Sequence, residues 1–185
     1  MLYKIALFLH VIGALLLCAA IAIEWLCIIN IRKADTIERI RESVFIYSTV
    51  RKMGDRAASL LLVPGIYMMV VVWHNASWGV FGLFDLILIG LIGSMVTGRK
   101  MKKIAEIAKM ENKHPDELGS LLRNNSLWFS IKMRTAIFLG VIFLMTAKPG
   151  LAGSIVTIII SIILGALPLG IRYYPAVTEA KDATQ

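Results

Sequence analysis

The sequence predicts an all-α, polytopic membrane protein: five transmembrane helices with helical cytoplasmic extensions, amino terminus outside and carboxyl terminus inside. Three observations predict it. Of the 185 residues, 58% are hydrophobic and only 17% charged, against roughly 45–50% apolar in an average soluble domain. The apolar residues gather in runs near the about 20 positions that a helix needs to cross a hydrocarbon layer of about 30 Å. The basic residues fall almost wholly on alternate sides of those runs. A disordered tail and a simple cytosolic domain are excluded, and two cysteines cannot build a disulfide framework. The whole chain, 1–185, reads as one bundle with no soluble catalytic domain.

The spans are placed at about 5–29, 57–73, 78–97, 131–147 and 151–171. The first run is too long for the about 7–15-residue core of a cleaved signal, and it lacks a basic start. It is read as an uncleaved helix. In the first cytoplasmic loop, 30–56, Asp35-Thr36-x-Glu38 marks a helix start, and 36–52 forms an amphipathic stretch. Pro64-Gly65 should kink the second span. His74 to Ser77 makes a tight outer turn, and the third helix is expected to run past Ile104 and Ile107 to about Glu111. Pro115 with Asp116 and Glu117 starts a further helix inside the loop 98–130. The fourth span borrows 127–133, where Lys132 can snorkel to the interface. Lys148-Pro149-Gly150 forms the second outer turn, Pro168 should kink the last span, and the tail from Glu179 frays. Arg56-Ala57-Ala58 and Arg134-Thr135-Ala136 open two spans alike, a faint sign of a repeated hairpin.

Net charge is +8, and of the 20 Lys and Arg only Lys4 and Lys148 fall on the outer side. The positive-inside rule then places the amino terminus outside and the carboxyl terminus in the cytoplasm, and the chain is expected as a multi-pass protein of a bacterial-type cytoplasmic (inner) membrane. The run Arg99-Lys100-Met101-Lys102-Lys103 abuts a span, so anionic lipid headgroups at the cytoplasmic face account for it. Nucleic acid has no separate support. Beyond the lipid bilayer, the glycines Gly79, Gly82, Gly90 and Gly93 and the pair Ser161-x-x-x-Gly165 allow close helix approach, inside the bundle or at a seam with a second copy.

Ionisable side chains inside a membrane are costly and mark candidate sites. His10, Glu24 and Asp85 are those here. His10 and Glu24 share one face of the first helix, with Gly13 and Leu17 on that stripe, separated by about 21 Å of helical rise. Asp85, His74, Met68 or Met69, and Met145 belong to the same outer half as His10. Such a cluster has three chemistries: a haem iron held by His10 with His74 or Met145, a copper ion on imidazole and thioether, or a His–Asp proton relay. The structural alternative has His10 bonded to a neighbouring helix and Asp85 paired with His10 or Lys148. Glu24 is expected to pair with Arg134, as a structural bridge or as the gate of a cytoplasmic cavity. The methionines show no M-x-x-M or M-x-x-x-M ladder within one span, so the sequence supports no copper conduit. Cys18 and Cys27 point to opposite helix faces and read as packing. Trp25, Trp73, Trp78 and Tyr173-Tyr174 are interface anchors, and His114 is a solvated loop residue.

The opening Leu9-His10-Val11-Ile12-Gly13-Ala14 resembles that of small bacterial integral membrane proteins. These include CopD-like copper-resistance proteins, HemJ-type protoporphyrinogen oxidases and a group of unknown function. The last group also tends to end its fourth helix in Lys-Pro, as Lys148-Pro149 does here, and the resemblance spans helices one to four. It implies a compact bundle in which His10 binds haem b as the metal ligand. The chain departs from the pattern in lacking a Trp after Gly13 and a second histidine in any span. His74 or a methionine would have to complete the coordination. The leading expectation is a haem-b-binding membrane protein with a redox or electron-transfer role, with no catalytic residue assigned. The alternatives are an accessory subunit of a larger membrane complex, or a small metal- or solute-handling permease using Glu24 and Asp85.

Overall fold

Thr36 starts the second helix as the sequence suggests: its hydroxyl accepts the Arg39 backbone N–H at 3.5 Å, and Asp35 pairs with Arg39 at 3.0 Å. Such a cap satisfies one of the orphan donors of a first turn. The computed structural model describes residues 1–74, 76–109 and 115–167. Helix α1 covers Leu2–Lys33 and α2 Ile37–Val71. Helix α3, Ser77–Ile92, passes through a π-helical stretch, Gly93–Gly98, into α4, Arg99–Lys109. Helices α5, α6 and α7 follow at Pro115–Arg123, Ser126–Ala147 and Leu151–Ala166. No strand occurs among the described residues.

Four segments are long and apolar enough to cross a membrane: Leu2–Lys33, Ile37–Val71, Ser77–Lys109 and Leu118–Ala147. Helix α7 is apolar but shorter, at 16 residues. Along these segments, away from the basic end, the outside of the bundle is apolar, with Phe8, Leu15, Val63, Phe84, Leu139 and Ile159 exposed. Water would not tolerate so continuous a surface, whereas lipid solvates it.

The amphipathic stretch and the second span prove to be one helix, α2, 35 residues long and about 52 Å from end to end. It therefore outreaches a bilayer core and carries its basic half beyond it. Pro64 lies inside this helix without ending it. Helix α3 similarly continues into α4 as expected, and Pro115 starts α5. Both tight turns close on a left-handed residue, His74 at φ 47° and Lys148 at φ 47°. The end of α6 is further fixed by the Lys148 N–H bonding the Leu144 carbonyl at 3.1 Å.

Helices α1 and α2 pack along their length, and Gly13 is where they come closest. A Cβ there would lie 2.6 Å from the Leu61 nitrogen and 2.8 Å from its Cα. Helix α6 is the hub, packed on α7, α3 and α1. Gly165 faces the Met133 backbone, and Gly140 faces Ser161 Oγ. Helices α2 and α3 barely touch beyond their turn, whereas α6 and α7 run together. The two hairpins are thus packed differently, because α3 finds its main partner in α6. The core gathers at the basic end, around Ile28, Ile31, Ile40, Met101, Ile104, Leu127 and Ile131. There the helices leave lipid and must bury their apolar faces against one another.

Asn75, residues 110–114 with Glu111 and His114, and residues 168–185 lie outside the described residues. The last group contains Pro168, the end of the fifth span at Ile171, Tyr173-Tyr174 and the tail.

Candidate functional site

At the end of the bundle opposite the basic loops, His10 Nδ1 donates to the Leu61 carbonyl at 2.8 Å. A carbonyl only accepts, so Nδ1 carries a proton, and the nitrogen left to offer a lone pair to a ligand is Nε2. The sequence arranges this locally. Pro64 has no N–H to give the Leu60 carbonyl, so the helical bonding is interrupted one residue before Leu61. Gly65 makes room for the ring, since a Cβ there would lie 3.0 Å from both Cε1 and Nδ1.

His10 lines a cavity of about 30 Å³ together with Met69 and Met145, walled by Leu61, Leu83 and Leu86. Each sulfur side chain rests on a glycine of α3. Met69 Sδ would lie 3.4 Å from a Cβ at Gly79, and the Met145 methyl fills the space of one at Gly82. These glycines admit side chains, not the close backbone contact expected of them. Of the anticipated outer cluster, the structure brings together His10, Met69 and Met145. His74 is exposed in its turn, Met68 is buried outside the cavity, and Asp85 does not line it.

One imidazole and two thioethers are soft, neutral donors suited to a metal ion. The cavity is half-open and small for haem b: pockets for organic ligands of that size occupy roughly 300–1,000 Å³, against about 30 Å³ here, so the macrocycle would not be held inside it.

Asp85 is 1% exposed, and neither carboxyl oxygen has a hydrogen-bond partner. It shares a face of α3 with Trp78, Gly82 and Ile89, turned from the Gly79-Leu83-Leu86 face that lines the cavity. Both partners expected for it are engaged elsewhere. His10 bonds Leu61, and the Lys148 ammonium lies over Trp73 and Trp78, 5.6 and 5.4 Å from the ring centroids.

Toward the basic end the expected pair is present: Arg134 Nη2 lies 2.6 Å from Glu24 Oε2, both side chains being less than a tenth exposed. The approach is off-line for a hydrogen bond, so charge holds the two together. Arg134 also reaches Thr97 Oγ1 at 3.4 Å, and Thr97 bonds Ser130 Oγ at 2.8 Å. The π-helical stretch makes room for this: a Cβ at Gly93 would lie 3.0 Å from Arg134 Nη1. The Gly93 carbonyl takes a hydrogen bond from Arg51 Nη1 at 3.3 Å, and the same nitrogen meets the Tyr47 hydroxyl at 3.4 Å.

Glu24, Arg134, Arg51, Asp55 and Ser94 line a second cavity of about 90 Å³. A third, of about 530 Å³, opens among Tyr47, Ser48, Lys52, Arg99 and Lys102 at the basic end. The second and third share Arg51, Asp55 and Ser94 as a common wall. The first and second share Leu62 and Leu86. Three cavities thus follow one another along the bundle.

No family model, curated protein or solved structure matches the chain. The chemistry of the site therefore carries the functional reading. The two cysteines are free, Cys27 packed in the core and Cys18 exposed. Sequence inspection passed over Arg51, Thr97, Ser130 and the Gly93 carbonyl. None is an ionisable group within an apolar run, and only the fold makes them neighbours.

Proposed function

We propose that the protein is a small permease for a metal ion or another small solute. It crosses the cytoplasmic membrane five times with its basic loops inside. The observation that carries this reading is the succession of three cavities with shared walls. They run from His10 at one end, past the Glu24–Arg134 pair, to the basic vestibule at the other. Orientation is supported by the distribution of Lys and Arg. The fifth crossing is supported by α7, whose apolar run extends in sequence to Ile171.

Along such a path the constrictions are Leu62 and Leu86, apolar and contributed by two helices that hardly touch. Below them Glu24 and Arg134 neutralise each other, which removes the barrier that either charge alone would raise in lipid. Arg51 and Asp55 stand at the next wall and offer exchange partners for a charged solute. The test is cysteine accessibility in a background freed of Cys18 and Cys27. Cysteines placed at Leu62, Leu86 and Ser94 should react with a small membrane-impermeant thiol reagent. A cysteine at lipid-facing Leu139 should not. If Leu62 and Leu86 prove as inert as Leu139, the path does not exist.

A further inference from the structure

We infer that the cavity formed by His10, Met69 and Met145 binds a soft monovalent cation of the Cu(I) class. Three observations bear on it, none of them the sequence motif. First, the donors come from α1, α2 and α6 and line one half-open cavity of about 30 Å³. That is room for an ion or about two waters, since one water needs about 10–15 Å³. Second, the bond from His10 Nδ1 to the Leu61 carbonyl leaves Nε2 as the free nitrogen. Ligating histidines characteristically donate their other ring N–H to a carbonyl in this way. Third, the lining holds no carboxylate and no thiol.

The donor set decides the ion. Calcium and magnesium require oxygen ligands. Zinc takes thiolate, imidazole or carboxylate. Two thioethers and an imidazole, all neutral and set among leucines, favour a soft ion of low charge, which loses less on leaving water than a divalent one. Gly65, Gly79 and Gly82 serve as seats that hold the imidazole and the two sulfur side chains. This inference rests on the permease reading only in naming the ion that the path would carry. The site itself needs no path.

The experiment is therefore a binding measurement on the full chain in detergent, with Cys18→Ser and Cys27→Ala removing the competing thiols. Silver(I), which does not change oxidation state, is titrated calorimetrically, with zinc(II) titrated in parallel. One silver ion per chain is expected, and little zinc. Met69→Leu with Met145→Leu, a nearly volume-conserving change, should abolish silver binding while thermal unfolding stays near that of the parent. Gly65→Ala displaces the imidazole and loosens its bond to Leu61, which should weaken binding by about 10–100-fold. Silver binding that survives the double leucine variant overturns the proposal, as does its absence from the parent chain. Zinc bound as tightly as silver overturns the choice of ion. A chain that binds silver but shows no water-accessible path would sink the permease and leave this site standing.

Discussion

Removing the Arg134 guanidinium would leave Glu24 as a buried charge without its close ion pair, Arg51 being the other cation that lines the same cavity. Breaking a buried pair in this way typically costs about 3–5 kcal/mol. Arg134→Met should therefore lower unfolding stability in detergent by about that amount. Adding Glu24→Gln should restore most of the loss. A double variant no better than the single would mean that Arg134 acts chiefly through Thr97 and Ser130. Asp85 presents the opposite case. Its carboxyl has no partner to lose, so Asp85→Asn should leave stability unchanged or raise it, read by the same unfolding measurement. A fall of about 1 kcal/mol or more, the usual worth of a hydrogen bond, would reveal a partner. At this scale the sequence was legible where charge interrupts an apolar run. Glu24 and Arg134 stood out and meet as expected. Met69 and Met145 were among the candidates, but methionine is also ordinary packing, and a search along single spans does not see donors that converge from separate helices. Thr97 and Ser130 carry no signal, because short hydroxyl side chains satisfy themselves within any helix.

The glycines separate two kinds of helix contact. At Gly13 a methyl group would meet the Leu61 backbone at 2.6 Å, whereas at Gly90 nothing lies within 4 Å. Gly13→Ala should cost about 1–3 kcal/mol as an overpacked contact. Gly90→Ala should be neutral or slightly stabilising, since alanine is the better helix former. Equal effects at the two positions, measured by unfolding in detergent, would contradict the α1–α2 crossing. Hydropathy located four of the spans but not the helix ends. It marks where the chain leaves lipid, near Ala57 in α2, while the backbone bonds continue unbroken from Ile37. The π-helical stretch was invisible for a related reason. Gly93–Gly98 looks like the foot of a span, and its widening is sustained by Arg51 and Arg134 from other helices.

For the whole molecule, composition and the rhythm of apolar runs were enough for a helical membrane bundle. Which helix lies against which was not readable, because lipid-facing and partner-facing residues are equally apolar. The faint likeness between the two hairpins gives no guide to packing, α3 lying against α6 more than against its neighbour α2. The proposed orientation rests on the Lys and Arg distribution and makes a simple prediction. A cysteine at Lys148 should be labelled by an impermeant reagent from outside intact cells. One at Asp35 should be labelled only after the membrane is opened, and the reverse pattern would invert the topology.

Flux through the cavity line tests the account most directly. The chain would be reconstituted into liposomes enclosing a silver-sensitive dye, beside protein-free liposomes and an Ala58→Trp variant whose indole should fill the second cavity, Ala58 being no part of the lining around His10, Met69 and Met145. The account predicts silver(I) entry well above the protein-free rate for the parent chain. In the variant, entry should stop while silver still binds in detergent. Entry at the protein-free rate in the parent, with binding at His10, Met69 and Met145 intact, would contradict transport and leave a protein that holds its ion without passing it on.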